Sequence, residues 1–241
     1  MKKFLIANWK MSLLKSDVES YCNQISSIPS FDKIQVVLSP SFIHMHIVYD
    51  AIKKFKGISL CAQDCSAFTS GSHTGDISVN MLKEYSCEYV IIGHSEKRKS
   101  YNEDEEILSE KLERACECGI RPIYCIGEDL DARQEGRVLQ KLRQQLRDIG
   151  LQRITNSNAI IAYEPIWSIG TGLTPSPAQI EEVARFINDM LPSHKVVYGG
   201  SVTHENAEEI SSISGISGLL IGKAASDINS FIKIVKSASE V

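Results

Sequence analysis

The sequence predicts an α/β protein in which eight parallel strands and the helices around them close into a (β/α)8 barrel. Eight short apolar runs recur along the chain, and segments with helical periodicity separate them. Strands that alternate with helices indicate a parallel sheet. Eight such units in 241 residues match the size of a closed barrel, about 250 residues.

The eight predicted strands are apolar throughout instead of alternating between apolar and polar residues. This pattern is typical of strands that are buried on both faces of a parallel sheet. In chain order they are Phe4–Ala7, Ile34–Leu38, Ile58–Ala62, Tyr89–Ile92, Pro122–Cys125, Ala159–Tyr163, Val196–Tyr198 and Leu219–Ile221.

The clearest predicted helix spans Ala178–Leu191, where apolar residues return every three or four positions. Ser176 is a favourable N-cap, Pro177 occupies the first helical position, and Gln179 completes a capping box. Similar periodicity predicts helices over Asn102–Cys118 and Ile228–Val235. The first of these two has an inward face composed of Ile107, Leu108, the stem of Lys111, Leu112 and Ala115.

An open doubly wound sheet is the alternative architecture for alternating strands and helices. It is disfavoured because the first strand is followed by "NWK" and not by the G-x-G-x-x-G turn of dinucleotide-binding sheets. No linker or low-complexity tract interrupts the series of units. We therefore expect residues 1–241 to form a single barrel domain.

Composition excludes several classes of protein. The net charge is −4 with scattered basic residues, so nucleic acid is not an expected partner. Seven cysteines without a C-x-x-C pair indicate reduced, packed thiols, as in the cytosol. The first ten residues hold an apolar run too short for a signal peptide, and no run reaches the roughly 18 residues of a membrane span. We expect a cytoplasmic protein without membrane association.

Residues that are mostly polar or ionisable follow several of the predicted strands, and the carboxyl ends of barrel strands carry the chemistry. They are Asn8 and Lys10 after the first strand, Gln63 and Asp64 after the third, His94, Ser95 and Glu96 after the fourth, Gly127 and Glu128 after the fifth, and Glu164 after the sixth. A lysine, a histidine and a glutamate at one crevice indicate catalysis. Taken singly, they could be a surface lysine, a core histidine and the acid of a helix N-terminus.

Glycines follow the last two strands, in Gly199–Ser201 and in Gly222–Ser226. Barrels often bind phosphate in these two loops. The Ser201 hydroxyl and the amides of Gly222 and Lys223 can donate hydrogen bonds there, although a plain tight turn would use the same residues. The H-x-H pair of His44 and His46 is not expected to bind metal, because residues two apart on a helix do not face each other.

Four segments resemble the signature segments of the triosephosphate isomerase family: "ANWK", "GHSEKR", "AYEPIWSIGTG" and "YGGSV". They occur in the family's order and spacing, from residue 5 to about residue 226. The resemblance implies a TIM barrel that interconverts dihydroxyacetone phosphate and D-glyceraldehyde 3-phosphate through an enediolate, in glycolysis and gluconeogenesis. It implies an aldose–ketose isomerase (an intramolecular oxidoreductase) with no cofactor and no metal.

The same resemblance assigns roles to individual residues. Glu164 matches the catalytic base, and His94 matches the electrophile that hydrogen-bonds the carbonyl and passes protons between the two oxygens. Ser95 and Glu96 look like the start of a helix whose positive end disfavours imidazolium. Asn8 and Lys10 match the residues that stabilise the enediolate and the phosphate. The positions that match the family's phosphate site are Gly170, Ser201, Gly222 and Lys223.

The segment after Glu164 resembles the family's closing lid, with the alternative of an ordinary surface loop. Its first hinge is Pro165, Ile166 and Trp167, its tip is Ser168, Ile169, Gly170, Thr171 and Gly172, and its second hinge is Leu173, Thr174 and Pro175. The long loop Cys65–Gly75 matches the family's intersubunit loop, in which Thr74 and Gly75 reach a neighbouring subunit, so we expect a homodimer. The alternative is that Cys65–Gly75 is a mobile surface loop.

Four features depart from the family pattern. Lys97 stands in place of a frequent arginine, Lys223 in place of a glycine, and His73 in place of a frequent phenylalanine. The second hinge carries Leu173 and Pro175 in place of the more usual lysine-rich sequence. None of them removes a catalytic group. Two other functions stay open at this point: another phosphate-binding barrel isomerase, and a catalytically silent barrel that binds a phosphorylated metabolite.

Overall fold

The computed structural model describes residues 2–25, 33–150, 154 and 157–239. Within them, eight parallel strands pair in sequence order and the eighth pairs with the first, so the barrel is closed. The strands are β1 Lys3–Asn8, β2 Ile34–Ser39, β3 Ile58–Ala62, β4 Tyr89–Ile92, β5 Arg121–Ile126, β6 Ile160–Tyr163, β7 Lys195–Tyr198 and β8 Ile216–Ile221. The predicted α/β class and (β/α)8 barrel are confirmed.

Helices surround the barrel. The described ones are α1 Lys15–Ile25, α2 Met45–Ile52, α3 Val79–Glu84, α4 Ser95–Tyr101, α5 Glu105–Glu117, α6 Leu130–Gln134, α7 Val138–Asp148, α8 Pro177–Met190, α9 Ala207–Ser212 and α10 Ile228–Ser239. Three short 3-10 turns accompany them, at Phe42–His44, Ile166–Ser168 and Lys223–Ser226. No described helix has the length and apolar character needed to cross a membrane.

The N-terminus of α8 forms as the sequence predicts. The Ser176 hydroxyl accepts the Gln179 N–H at 3.4 Å, and the Gln179 side chain accepts the Ser176 N–H at 2.9 Å. This capping box satisfies two of the backbone donors that a helix start leaves free.

The prediction of a single helix over Asn102–Cys118 is wrong at its start. Asn102 adopts a left-handed conformation with φ 53° and ends α4, as asparagine can do at low cost. The Asp104 carboxylate then accepts the Ile107 N–H at 3.0 Å and opens α5. Ile107, expected to face inward, is 38% exposed, while Ser109 is buried.

The eighth strand begins earlier than its apolar run, because Gly218 lies against the first strand. A Cβ atom on Gly218 would lie 2.1 Å from the Phe4 carbonyl oxygen. The segment "ISG" at residues 216–218, which is less apolar than the run after it, therefore joins the sheet, since only glycine permits such a close approach to the Phe4 backbone. A register irregularity between Val196 and Val197 accompanies the pairing of β7 with β8.

The core has two layers. Side chains inside the barrel include Ile6, Val37, Ile91 and Val197, and a larger cluster fills the space between strands and helices. All seven cysteines are free, and five of them are buried. Unpaired, mostly packed thiols were expected. Burial raises the pKa of Cys22 to about 11 and that of Cys87 to about 12, so both remain protonated at neutral pH.

Candidate active site

A cavity of about 600 Å³ opens at the carboxyl ends of the strands. All eight residues assigned to catalysis or substrate binding line it: Asn8, Lys10, His94, Glu164, Gly170, Ser201, Gly222 and Lys223. Ser95 and Glu96 do not line this cavity, but both contact residues that do. The barrel therefore brings together residues that are up to 215 positions apart, from Asn8 to Lys223.

The Glu164 carboxylate is almost fully buried, with 2% of the residue exposed. Its backbone N–H donates to the Ile126 carbonyl at 2.7 Å, which continues the strand pairing, and Pro165 restricts it to an extended conformation. One carboxylate oxygen lies 3.1 Å from Nε2 of His94, and the other accepts the Ser95 N–H at 3.0 Å. Both oxygens are thus held at the mouth of the barrel.

His94 is the N-cap of α4, and its Nδ1 atom accepts the Glu96 N–H at 3.2 Å. A backbone N–H can only donate, so Nδ1 carries no proton. In the neutral imidazole the proton is then on Nε2, which lies 3.1 Å from a Glu164 carboxylate oxygen and donates to it in this structure. The ring therefore offers an N–H donor at the cavity, directly beside Glu164.

Lys10 turns the chain sharply at the end of β1, with a left-handed φ of 51°. The Asn8 side chain accepts the Lys10 N–H at 3.1 Å, and the Gln63 amide donates to the Lys10 carbonyl at 2.8 Å. These bonds hold a backbone conformation that costs about 1–2 kcal/mol for a residue with a side chain. The Lys10 ammonium contacts the Glu96 carboxylate at 2.6 Å.

Glycine at position 222 leaves room for the lysine stem. A Cβ atom on Gly222 would lie 3.2 Å from Cε and 3.5 Å from Nζ of Lys10. The ammonium therefore reaches the loop after β8, where the backbone of Gly222 and Lys223 lies. The strand-one and strand-eight residues form one continuous wall.

The segment after Glu164 is tied to the loop after β7. The Ser201 hydroxyl donates to the Ser168 carbonyl at 2.7 Å, and the Ser168 hydroxyl donates to the Leu173 carbonyl at 2.6 Å. Gly170 and Gly172 have left-handed φ values of 71° and 80°, which explains the glycines at the tip. Gly170 and Ser201 both face the cavity.

A buried carboxylate beneath this segment was given no role from the sequence. Glu128 is fully buried, and one of its oxygens accepts hydrogen bonds from Arg133 at 2.8 Å and from the Trp167 indole at 2.9 Å. The Tyr163 hydroxyl lies 3.2 Å from the same oxygen, and burial raises the pKa of that hydroxyl. The sequence does show an acid at the end of a strand, Glu128, five residues before Arg133, and this spacing could have indicated their ion pair. It does not identify Trp167 as a further partner.

Lys97 and His73, which depart from the family pattern, each contact neighbouring side chains. The Lys97 ammonium lies 3.0 Å from the Asp64 carboxylate and 3.7 Å from the centroid of the Tyr101 ring. The His73 ring stacks on Phe68 with centroids 3.7 Å apart. Lys97 therefore supports the wall of the site by charge, and His73 supports the Cys65–Gly75 loop by packing.

His44 and His46 do not face each other, because His44 is buried and His46 is exposed. Among the described ranges of the chain, no group of three or more His, Cys, Asp or Glu side chains has an arrangement that could hold a metal ion.

A closed barrel with a buried carboxylate, an imidazole N–H and an ammonium around one cavity defines the class of barrel enzymes that move protons on a bound substrate. The family model of triosephosphate isomerase matches residues 3–238. The chain belongs to the triosephosphate isomerase family, and it is an isomerase.

Curated relatives are similar to this chain over all or nearly all of its length. The triosephosphate isomerase of Francisella tularensis subsp. mediasiatica is 34% identical over 254 residues, covering 100% of this chain and 99% of the relative. Those of Thermodesulfovibrio yellowstonii and Aquifex aeolicus are each 36% identical, covering 98% of this chain and 99% or 100% of the relative.

Proposed function

We propose that this chain interconverts dihydroxyacetone phosphate and D-glyceraldehyde 3-phosphate with Glu164 as the base and His94 as the electrophile. The observation that supports these roles is the 3.1 Å separation of the Glu164 carboxylate and His94 Nε2 in the cavity that Lys10 also lines. The reaction belongs to glycolysis and gluconeogenesis and is that of the family to which the chain belongs.

The proton moves in steps that keep charge separation small. Glu164 removes a proton from the carbon beside the carbonyl, and the electron pair moves to the carbonyl oxygen, which forms an enediolate. The His94 Nε2–H donates to that oxygen, and proton exchange with the second oxygen follows. Glu164 then returns its proton to the neighbouring carbon. A neutral imidazole in this place is a known property of triosephosphate isomerases.

Electrostatic stabilisation makes a carboxylate adequate as a base for a carbon acid. The Lys10 ammonium and the Asn8 amide line the same cavity as His94 and oppose the charge that develops on the enediolate. Because Glu164 and His94 are both nearly buried, little water competes for these interactions. Ser95 and Glu96 position the pair through their backbone N–H groups.

The phosphate of the substrate binds where Gly170, Ser201, Gly222 and Lys223 face the cavity. Backbone N–H groups of glycine-rich loops bind phosphate oxygens because no side chain blocks the approach. In this assignment the segment Pro165–Pro175 is a lid that closes over the substrate and protects the enediolate from loss of phosphate. The bond between Ser201 and Ser168 connects the lid to the phosphate loop.

The active form is a homodimer of single-domain chains, each spanning residues 1–241, and it acts in the cytoplasm. Thr74 and Gly75 of the Cys65–Gly75 loop reach the partner subunit, and Thr74 braces its active site. Exposed apolar side chains support this assignment, since Met11 is 97% exposed and Phe68 is 49% exposed. Contact with a partner subunit would remove such apolar side chains from water.

The assigned base is tested by Glu164→Gln, which keeps the shape of the side chain and removes its basicity. We expect kcat for D-glyceraldehyde 3-phosphate to fall by about 10²–10⁴, the usual contribution of a general base. The assay follows formation of dihydroxyacetone phosphate by a coupled spectrophotometric reaction. Glu182→Gln, on the exposed face of α8, makes the same chemical change away from the cavity and is the control.

Equal turnover of the Glu164→Gln and Glu182→Gln enzymes contradicts the assignment of the base. A wild-type protein that binds inorganic phosphate but shows no turnover favours the silent phosphate-binding barrel instead.

A further inference from the structure

The Arg98 guanidinium connects the ends of two neighbouring strands. Its Nε–H donates to the Gly93 carbonyl at 2.8 Å, directly after β4, and its Nη2 group donates to the Cys125 carbonyl at 3.2 Å, near the end of β5. Arg98 belongs to α4 and is not among the residues that line the active-site cavity. One side chain from a helix therefore holds the ends of β4 and β5 together from behind the cavity.

The remaining contacts of Arg98 fix the orientation of the guanidinium. Its Nη1 group donates to the Glu105 carboxylate at 2.5 Å, and Nη2 also donates to the Tyr124 hydroxyl at 3.1 Å. A Cβ atom on Gly93 would lie 3.1 Å from Nη2, so glycine leaves room for this approach. Because a guanidinium is planar and its N–H groups point in fixed directions, these bonds together determine where the two bridged carbonyls lie.

Both bridged carbonyls lie next to backbone that carries the proposed proton-transfer pair. Gly93 directly precedes His94. Cys125 directly precedes Ile126, whose carbonyl accepts the Glu164 N–H at 2.7 Å. The guanidinium thus connects the backbone on the two sides of the 3.1 Å contact between His94 Nε2 and the Glu164 carboxylate.

We propose that Arg98 is a positioning residue that sets the distance between His94 Nε2 and the Glu164 carboxylate by bridging the ends of β4 and β5. Its effect on turnover rests on the proposed function, since that function has His94 and Glu164 act on one substrate. Small displacements are costly there, because a misplacement of about 1 Å can lower a rate by about 10²-fold. An arginine that only joins α4 to α5 through Glu105 would stabilise the fold without setting this distance.

Substitutions separate the bridge from the ion pair. Arg98→Met removes both, whereas Glu105→Gln removes the charge of the partner and leaves the bonds to the two carbonyls in place. Arg98→Lys retains the charge but lacks the planar fork that reaches both carbonyls at once. Arg114→Met is the matched control, because Arg114 lies on α5, pairs with Glu117 near the surface and does not line the cavity.

Steady-state kinetics measures kcat and KM for D-glyceraldehyde 3-phosphate. We expect Arg98→Met to lower kcat by about 10- to 100-fold, while KM changes by less than about twofold because the guanidinium does not line the cavity. Arg98→Lys should lower kcat by about three- to tenfold. For Glu105→Gln and Arg114→Met, both kcat and KM should stay within about twofold of wild type.

NMR spectroscopy of 15N-labelled protein observes the His94 ring without any turnover. In wild type the Nε2–H should give a downfield signal that exchanges slowly with water, since it donates to a buried carboxylate. The spectrum of His94→Gln, which lacks the ring, assigns this signal. We expect it to move upfield and to exchange faster in Arg98→Met and Arg98→Lys, and to stay as in wild type in Glu105→Gln and Arg114→Met.

Arg98 variants that keep both kcat and the His94 signal overturn the inference, and so does a fall in kcat without any change of that signal. Losses in Glu105→Gln equal to those in Arg98→Met also overturn it, because the ion pair alone then accounts for the effect. Should Arg98→Met not fold, Arg98→Lys decides by the same two measurements. A wild-type protein without turnover contradicts the proposed function, and the His94 signal then still tests the role of Arg98.

Discussion

At the residue scale, Gly127, directly after β5, lies close against the backbone of the next strand's end. A Cβ atom on Gly127 would lie 1.6 Å from the Glu164 carbonyl oxygen. The Gly127 N–H also donates to the Gln145 side chain at 3.0 Å. The absence of a side chain therefore sets how closely the end of β5 approaches the backbone that carries the Glu164 carboxylate.

We expect Gly127→Ala to lower the free energy of unfolding by at least about 3 kcal/mol, because a clash with backbone exceeds ordinary overpacking, which costs about 1–3 kcal/mol. Urea unfolding of the purified protein measures the change. Gly119→Ala is the matched control: Gly119 has a φ of 72° but no atom within 4 Å of its Cβ position, so only backbone strain of about 1–2 kcal/mol applies. Equal stability of the two variants contradicts the prediction.

Single residues of the candidate site were predictable where they follow a strand directly. Asn8, His94 and Glu164 were identified in this way, because a parallel barrel brings all strand ends to one face. The contacts among them were not predictable. The ion pair of Lys10 with Glu96 joins residues 86 positions apart and depends on side-chain rotamers, which a strand-and-helix pattern does not specify.

At the scale of elements, local chemistry determined which predictions succeeded. The start of α8 was predicted correctly because its N-cap, proline and capping glutamine are adjacent in sequence. The break between α4 and α5 was missed because apolar spacing continues across it, while the helix stops at the left-handed Asn102. Asparagine permits that conformation without requiring it, so periodicity alone extends the helix too far.

The capping box at Ser176 has a measurable effect on stability. Ser176→Ala removes the acceptor of the Gln179 N–H, and we expect the free energy of unfolding to fall by about 0.5–2 kcal/mol. Ser212→Ala is the control, because that hydroxyl donates to a carbonyl within the last turn of α9 and caps no helix start. Thermal unfolding of both variants tests the prediction. Indistinguishable melting temperatures show that the cap contributes nothing.

The cap also bears on the proposed lid, since it lies directly after Pro175. If α8 anchors the second hinge, loosening its first turn raises KM for D-glyceraldehyde 3-phosphate while Ser212→Ala leaves KM unchanged. The proposed first hinge is held as well, because the Trp167 indole donates a hydrogen bond to the buried Glu128 carboxylate. The segment Pro165–Pro175 is thus held near one end by a buried acid and is followed at the other by a capped helix start.

At the scale of the whole molecule, the number of units and the closed barrel were predictable, and the full length of the strand that closes it was not. Each strand was visible as an apolar run, but the pairing of β8 with β1 extends beyond the run Leu219–Ile221 to Gly218, which no apolar run includes. Closure leaves every strand paired on both sides, so the sheet offers no edge for association. Any contact between subunits must then use loops and helices. Exposed apolar side chains such as Met11, Phe68 and Tyr101 lie on these elements.

The homodimer is tested with two phenylalanines of similar exposure on opposite ends of the barrel. Phe68 is 49% exposed in the Cys65–Gly75 loop, and Phe55 is 40% exposed before β3. Phe68→Asp places a charge in the proposed interface, and we expect it to weaken association by at least about 30-fold, a loss of about 2 kcal/mol. Sedimentation should then give the 26.8 kDa chain for Phe68→Asp, and twice that mass for Phe55→Asp and the wild type.

Because Thr74 braces the partner's active site in this assignment, kcat of Phe68→Asp should fall with dilution, whereas kcat of Phe55→Asp should not. A wild-type protein that sediments as a monomer at micromolar concentration, or a Phe68→Asp variant as dimeric as Phe55→Asp, contradicts this interface.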